Sequence, residues 1–358
     1  MKQFYKILGL LGGFLLIAIL GCFAVYKINT SRVSSNDELK EVMIESGNNY
    51  HSIASILKNS NLIKSELFYK VYIKLHQPTS LQAGRYYLSE SMSVEEIVET
   101  LSKGNTYNPD AIRITFKEGI NMRKVASLIS ENTNHTVDEV YKILKDDKYL
   151  DELIDNYWFI TSSIKNKEIY YSLEGYLFPD TYEFSNKDVE VKDIFNKMLN
   201  QMGKKLEPYR EKLENSSYSV HDILTLASIV ELEGASKDDR AGVAGVFYNR
   251  LKGRWSLGSD VTTYYAAKVD MSERDLYQSE INAYNAYNTR NANMAGKLPV
   301  GPICLPSISS IIATLEPEEH DYYYFVADKY KKTYFTKTYS EHLSKINHLK
   351  AVGLWYEY

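Results

Sequence analysis

Leu224-Thr225-Leu226-Ala227-Ser228-Ile229-Val230-Glu231-Leu232-Glu233-Gly234-Ala235 is an apolar run of helix length that ends in two carboxylates and a glycine. Ser219 stands where an N-cap belongs, so the spacing predicts a helix from Val220 to Leu232 with Gly234 as its stop. Carboxylates are costly to strip of water, so a pair of them closing an apolar helix needs a reason. The C-terminal end of a helix carries partial negative charge, and apolar walls exclude solvent. Both effects disfavour the ionised carboxyl and raise its pKa. An acid still protonated near neutral pH can protonate a leaving group, so chemistry is expected here. Residues 231 and 233 point about 200° apart around a helix, which prevents both from serving one substrate.

Outward from this helix the pattern alternates between short strands and helices. Glu41 to Glu45 and Gly84 to Leu88 read as strands, and Ile53 to Leu57 and Phe68 to Leu75 as helices. Ser93-Val94-Glu95-Glu96 is a capping box opening a helix through Leu101. A repeat with a constant offset of 72 residues pairs Gly47, Asn49, Ile53, Ala54 and Leu57 with Gly119, Asn121, Val125, Ala126 and Ile129. Helices then prevail: from Thr136 through Leu144, from about Val189 towards Met202, and after Ser236 with an apolar stripe of Val243, Val246, Phe247 and Leu251. From Leu298 prolines and glycine bring turns, then strands at Tyr322 to Ala327 and Tyr334-Phe335 and a closing helix from Ser340 to Leu349. The fold class is α+β.

The chain has 358 residues, ordinary for two or three folded units. A net charge of −4 with no dominant basic field argues against nucleic acid as the main partner. Thirty-one tyrosines supply flat apolar faces with hydrogen-bonding tips, suited to sugar rings and equally to a compositional habit. Two distant cysteines, Cys22 and Cys304, give no disulfide framework, and the seven histidines show no metal-ligand spacing. No metal and no cofactor are expected.

Ile7 to Val25 is apolar and uncharged, nearly long enough to span the roughly 30 Å hydrocarbon layer. A single transmembrane anchor over 7–26 is expected, after a cytoplasmic tail of 1–6. A cleaved signal peptide would want a shorter core and a small-residue cleavage site. Ile19-Leu20-Gly21-Cys22 also has the look of a lipoprotein signal with Cys22 lipidated, but Phe23, Ala24 and Val25 prolong the apolar run. Residues 27–37, rich in Ser and Asn, read as a tether.

Several segments carry a family resemblance. Leu173-Glu174-Gly175-Tyr176-Leu177-Phe178-Pro179-Asp180-Thr181-Tyr182, Ala227 to Glu233, Val246-Phe247-Tyr248-Asn249-Arg250-Leu251 and Leu257-Gly258-Ser259-Asp260 come first. Tyr287-Asn288-Thr289, Leu298-Pro299-Val300-Gly301-Pro302-Ile303 and Tyr324-Phe325-Val326-Ala327-Asp328 follow. Together, and in this order, they resemble the MltG (YceG-like) family of endolytic murein transglycosylases. Val261, Ala286, Arg290, Leu305-Pro306-Ser307 and Thr333 depart from the family pattern. His342 is kept.

The resemblance implies a LysM-like βα subdomain over 38–103, able to bind N-acetylated glycan or to serve only as a packing unit. It implies a catalytic domain over 104–358. The implied activity is cleavage of the MurNAc–GlcNAc β-1,4 bond of peptidoglycan without water, leaving 1,6-anhydro-MurNAc ends and limiting strand elongation. The family's catalytic glutamate falls on Glu233, with Glu231 as a secondary candidate. Asp260 anchors a sugar amide or stabilises its own turn; Asn288 bonds an N-acetyl group or holds its loop. Tyr287 and Tyr324 stack on sugars or fill the core, and Glu174 lines the cleft or caps a turn. The implied partners are peptidoglycan strands and cell-wall synthases, at the outer face of the cell membrane. An anchored binding protein without catalysis and a water-using muramidase are the competing readings.

Overall fold

The hydrophobic pattern of residues 42–57 recurs at an offset of 72 residues, and in the computed structural model of the protein the two stretches fold alike. The structure describes residues 2–78, 80–104 and 110–355, with the side chains of 2–11, 15 and 16 left aside. Two compact units, Met1–Asp110 and Ala111–Tyr358, divide the chain.

The first unit runs α1 (Lys2–Thr30), β1 (Leu39–Ile44), α2 (Tyr50–Asn59), α3 (Glu66–His76), β2 (Gly84–Ser89) and α4 (Val94–Lys103). β1 and β2 pair antiparallel, with Val42 opposite Tyr86. The second unit opens on the same plan: β3 (Ile112–Thr115), α5 (Met122–Asn132), α6 (Val137–Ile143), α7 (Asp147–Asn156), β4 (Thr181–Phe184) and α8 (Val191–Leu206). Here Ile114 faces Tyr182 across the antiparallel pair.

The likeness extends to detail. Gly47 and Gly119 both take positive φ, 92° and 78°. Asn49 and Asn121 both cap the following helix at φ −95°, ψ 172° and φ −94°, ψ 172°. Val42, Ile44, Ile53, Ala54 and Leu57 are buried, as are Ile114, Phe116, Val125, Ala126 and Ile129. The Tyr86 and Tyr182 hydroxyls each donate to the carbonyl four residues earlier, Gln82 at 2.7 Å and Phe178 at 2.8 Å. The second copy differs by the longer insertion between its helices and β4.

The expected tether is not loose. α1 continues through Thr30, and Tyr26 packs against Phe68 of α3 at a centroid distance of 6.5 Å. The Val33 and Ser34 amides then donate to the Glu90 carbonyl, and Ser34 Oγ donates to the Glu90 carboxylate at 2.8 Å. Lys40 at 2.7 Å and Asn61 at 2.8 Å complete that carboxylate's shell. Hydrogen bonds led by Lys40 hold the Glu90 carboxyl down at about 2. Serine and asparagine in 27–37 serve a bound segment rather than a flexible one. From Gly12 to Thr30 α1 is long and apolar enough to cross a membrane.

Downstream lie α9 (Arg210–Glu214), α10 (Val220–Glu233), α11 (Arg240–Lys252), α12 (Asp260–Ala267), α13 (Gln278–Asn282) and α14 (Ile308–Leu315). The hairpin β5 (Tyr324–Ala327) and β6 (Thr333–Thr336) and the helix α15 (Tyr339–Ala351) close the chain. Among the described residues the mixture of helices with three separate two-stranded sheets is α+β, as expected. α10 is the axis of the second unit: Leu224 and Ala227 belong to one core with side chains of α5, α8 and α14, and Leu226, Ile229 and Val230 to another with α11 and Tyr265.

The segment before β4 locks these layers together. Tyr176 Oη meets His221 Nδ1 at 2.7 Å, and His221 Nε2 meets the Val300 carbonyl at 2.9 Å. Gly175 sits at φ +76°, where a Cβ would lie 2.2 Å from Pro302 Cβ. We expect Gly175→Ala to cost roughly 2–4 kcal/mol, from backbone strain and overpacking together, read as a lower urea midpoint with an unchanged slope.

Candidate active site

The Ser219 capping box forms as the sequence predicts, Ser219 Oγ accepting from the Asp222 amide at 3.1 Å. From Ile223 to Val230 every side chain of α10 is buried, and the helix ends at Glu233. Gly234 does stop it, but not by a left-handed turn: its φ is −68°. A Cβ there would lie 2.9 Å from both the Val230 carbonyl and Arg240 Cγ, so crowding excludes a larger residue.

The two carboxylates at this end have different surroundings. Glu231 is enclosed. Arg240 Nη2 lies 2.7 Å from its Oε1, with both side chains over nine-tenths buried. Its Oε2 accepts from the Ser307 amide at 2.9 Å, Ser307 Oγ at 2.5 Å and Ser310 Oγ at 2.7 Å. With four donors around it, this carboxylate is committed to the fold. Its role is to tie together the ends of three helices.

Glu233 is partly accessible and has one hydrogen bond to the protein among the described residues, from Ser259 Oγ to Oε1 at 2.6 Å. Ser259 occupies the N-cap position of α12 yet makes no capping bond with its hydroxyl; Glu233 takes it instead. Loss of water raises the Glu233 pKa most, with Asp260 pushing the same way against Ser259, Arg250 and Arg290. Oε2 has no hydrogen-bond partner among the described residues and can carry a proton. Among the described residues no group of three or more His, Cys, Asp or Glu side chains converges to hold a metal ion.

The remaining predicted residues separate into near and far. Asp260 is next to Ser259, exposed, and paired with Arg290 Nε. Tyr287 is fully buried, its hydroxyl accepting from the Tyr170 amide at 3.3 Å between the rings of Tyr170 and Tyr265. Asn288 is also fully buried: Nδ2 donates to the Ile281 and Ala283 carbonyls at 3.0 and 2.8 Å, and Oδ1 accepts from Thr263 at 2.9 Å. Neither presents a surface to a sugar in this arrangement. The segment reaches the site through Thr289, whose Oγ1 accepts from the Ser259 amide at 3.1 Å and meets Thr262 Oγ1 at 2.7 Å.

Glu174 is likewise a core residue. Its Oε2 accepts from the Met122 amide at the start of α5 and from Tyr265 Oη of α12, both at 2.9 Å, while Oε1 is buried without a partner. Burial pushes its pKa up to about 7. Sequence reasoning missed Ser259, Arg250 and Arg240 as site residues, although Ser259 and Arg250 lay inside quoted motifs. Arg250 donates to the Tyr323 carbonyl at 2.8 Å and to the Leu257 carbonyl, spanning from β5 to the loop that carries Ser259.

Three measurements check these assignments. Arg240→Ala leaves Glu231 buried and unpaired, and should cost about 3–5 kcal/mol in chemical denaturation. Glu233→Gln should leave stability at pH 7 unchanged or raised, because the native site disfavours its charge. For Glu174 the folded pKa lies above the unfolded one. Its protonated form is therefore the stable one, and stability falls as pH rises from about 4.5 to about 7, by on the order of 3 kcal/mol. Denaturation of Glu174→Gln at pH 5 and pH 8 should show that slope reduced.

Comparisons with known proteins give the chain its family. The profile of the YceG-like family matches residues 42–348. A Bacillus subtilis protein named endolytic murein transglycosylase is 37% identical over 84% of this chain and 82% of its own length. A Streptococcus pneumoniae protein of the same name is 30% identical over 84% of this chain, which spans only 56% of that longer relative. The crystal structure of a putative YceG-like protein from Listeria monocytogenes superposes with a TM-score of 0.60 at 32% identity, over 87% of this chain and all of that one. The chain belongs to the YceG-like family.

Proposed function

We propose that this protein is a membrane-anchored endolytic peptidoglycan transglycosylase in which Glu233 acts first as acid and then as base. The observation that carries the reading is the contrast at the end of α10. Glu231 is locked, whereas Glu233 has a raised pKa, one bond from Ser259 and an uncommitted Oε2. Protonated Oε2 gives its proton to the glycosidic oxygen as the C1–O bond breaks and positive charge develops at the muramyl C1. The carboxylate so formed takes the proton of the muramyl C6 hydroxyl, whose oxygen closes on C1. The products are a new GlcNAc 4-hydroxyl and a 1,6-anhydro-MurNAc end, with no water consumed. Unlike the two-carboxylate glycosidases, this route needs no second carboxylate as nucleophile or base. The neighbouring Asp260 is paired with Arg290, which favours the single-carboxyl route over a muramidase.

The relatives' name supplies the substrate class, murein. α1 provides the anchor, with the N-terminus cytoplasmic and the remainder facing the wall. The βααβ order and antiparallel β1–β2 pair support a LysM-like glycan-binding role for residues 38–103. Cleavage of nascent strands beside the synthases that extend them would set strand length.

Digestion of purified sacculi by the full-length protein, followed by mass spectrometry, tests the reaction. Anhydro ends that vanish in Glu233→Gln support it; reducing ends point to a muramidase, and no products to a binding protein. With chemistry rate-limiting, activity should fall about tenfold per pH unit above the raised Glu233 pKa, because the first step uses the acid form. A rate flat from about pH 5 to 9 contradicts the acid role.

A further inference from the structure

An aromatic surface that the reaction itself does not use is linked to Glu233 through Arg250. Trp255, in the loop between α11 and α12, is 43% exposed, and Tyr339 at the start of α15 is 59% exposed. Tyr324 of β5 stands between them, with ring centroids 6.1 Å from Trp255 and 5.9 Å from Tyr339. His342 stacks against Tyr324 at 5.3 Å, and Tyr323 packs against Trp255 at 4.8 Å. The three rings are thus backed by other rings and held in place, although two of them face solvent.

This surface is continuous with the carboxyl through one residue. The Arg250 guanidinium lies 5.5 Å from the Tyr324 ring centroid, and its charge acts on Glu233. Its Nη1 donates to the Leu257 carbonyl, two residues before the Ser259 that bonds Glu233. Exposed apolar rings that no described residue covers are an interaction surface, and their position selects the partner. A pyranose ring offers an apolar C–H face and a rim of hydroxyls, which matches tyrosine and tryptophan with their polar tips.

We infer that Trp255, Tyr324 and Tyr339 form a saccharide subsite that binds the N-acetylated sugars next to the bond facing Glu233. The inference rests on the catalytic reading of Glu233 for its occupant. Arg250 is a positioning residue, holding β5 and the Ser259 loop in register. Binding at the subsite draws on the glycan rings alone, so peptide-free strands should be recognised.

The test uses full-length Glu233→Gln protein and peptide-free glycan strands prepared by amidase digestion of sacculi, with affinity read by isothermal titration calorimetry. Tyr339→Ala and Trp255→Ala in that background should each weaken binding about tenfold, and Tyr339→Phe and Trp255→Phe should restore most of it. Tyr339 is the more exposed of the two, so thermal unfolding of Tyr339→Ala should match the parent, and thermal unfolding of Trp255→Ala is measured alongside to show that it is folded. Unchanged affinity in both folded Ala variants overturns the subsite, while anhydro ends from wild-type protein would leave the Glu233 reading standing. Weakened affinity together with no anhydro ends from wild type upholds the subsite and removes the catalytic reading instead.

Discussion

The buried Glu231–Arg240 pair is the contact on which the second unit turns. Three helix ends meet there: the C-terminus of α10, Arg240 as the first residue of α11, and Ser307 as the N-cap of α14. A carboxylate at a helix C-terminus is unfavourable alone, yet at the N-terminus of α14 the same charge is favoured, and three donors there reward it. The geometry makes a costly charge into a joint. Partial pairing would leave a charge buried without compensation, so the arrangement is held as a whole or not at all.

That joint determines what happens one turn-fraction later. With Glu231 rotated towards α11 and α14, Glu233 falls on the opposite side of α10, against Ser259. It receives the solvent exclusion of the helix packing without the cation and the three donors that satisfy Glu231. The raised pKa therefore follows from the same packing that stabilises its neighbour. Stability is concentrated at one carboxyl and withheld from the other, the usual relation between a fold and a reactive group set into it.

The sequence reading succeeded where local rules decide and failed where direction matters. The 200° separation of 231 and 233 is a property of any helix and could be read directly. The repeat was legible because both copies need glycine at positive φ and asparagine at the cap. Tyr287 and Asn288 were misplaced for a different reason. Their motif marks a segment that belongs near the site, but no periodicity exists in a loop to show which side chains point inward. The inward pair build the loop, and Thr289 makes the connection to Ser259. Residues 27–37 were read as a tether because Ser and Asn favour loops; the Glu90 acceptors that bind them lie more than fifty residues away.

Duplication and insertion then have separate tasks. Both copies of the β–helix–β–helix plan close on a tyrosine that donates four residues back, so the second copy inherits its fold. What it adds is the long segment before β4, which carries Glu174, Gly175 and Tyr176. Glu174 joins the first turn of α5 to Tyr265 of α12, and Tyr176 joins His221 at the start of α10. α10 bears the acid and α12 begins next to the serine that bonds it. The inserted segment therefore fixes both helices against the same repeat, and the position of Glu233 relative to Ser259 depends on residues far from either.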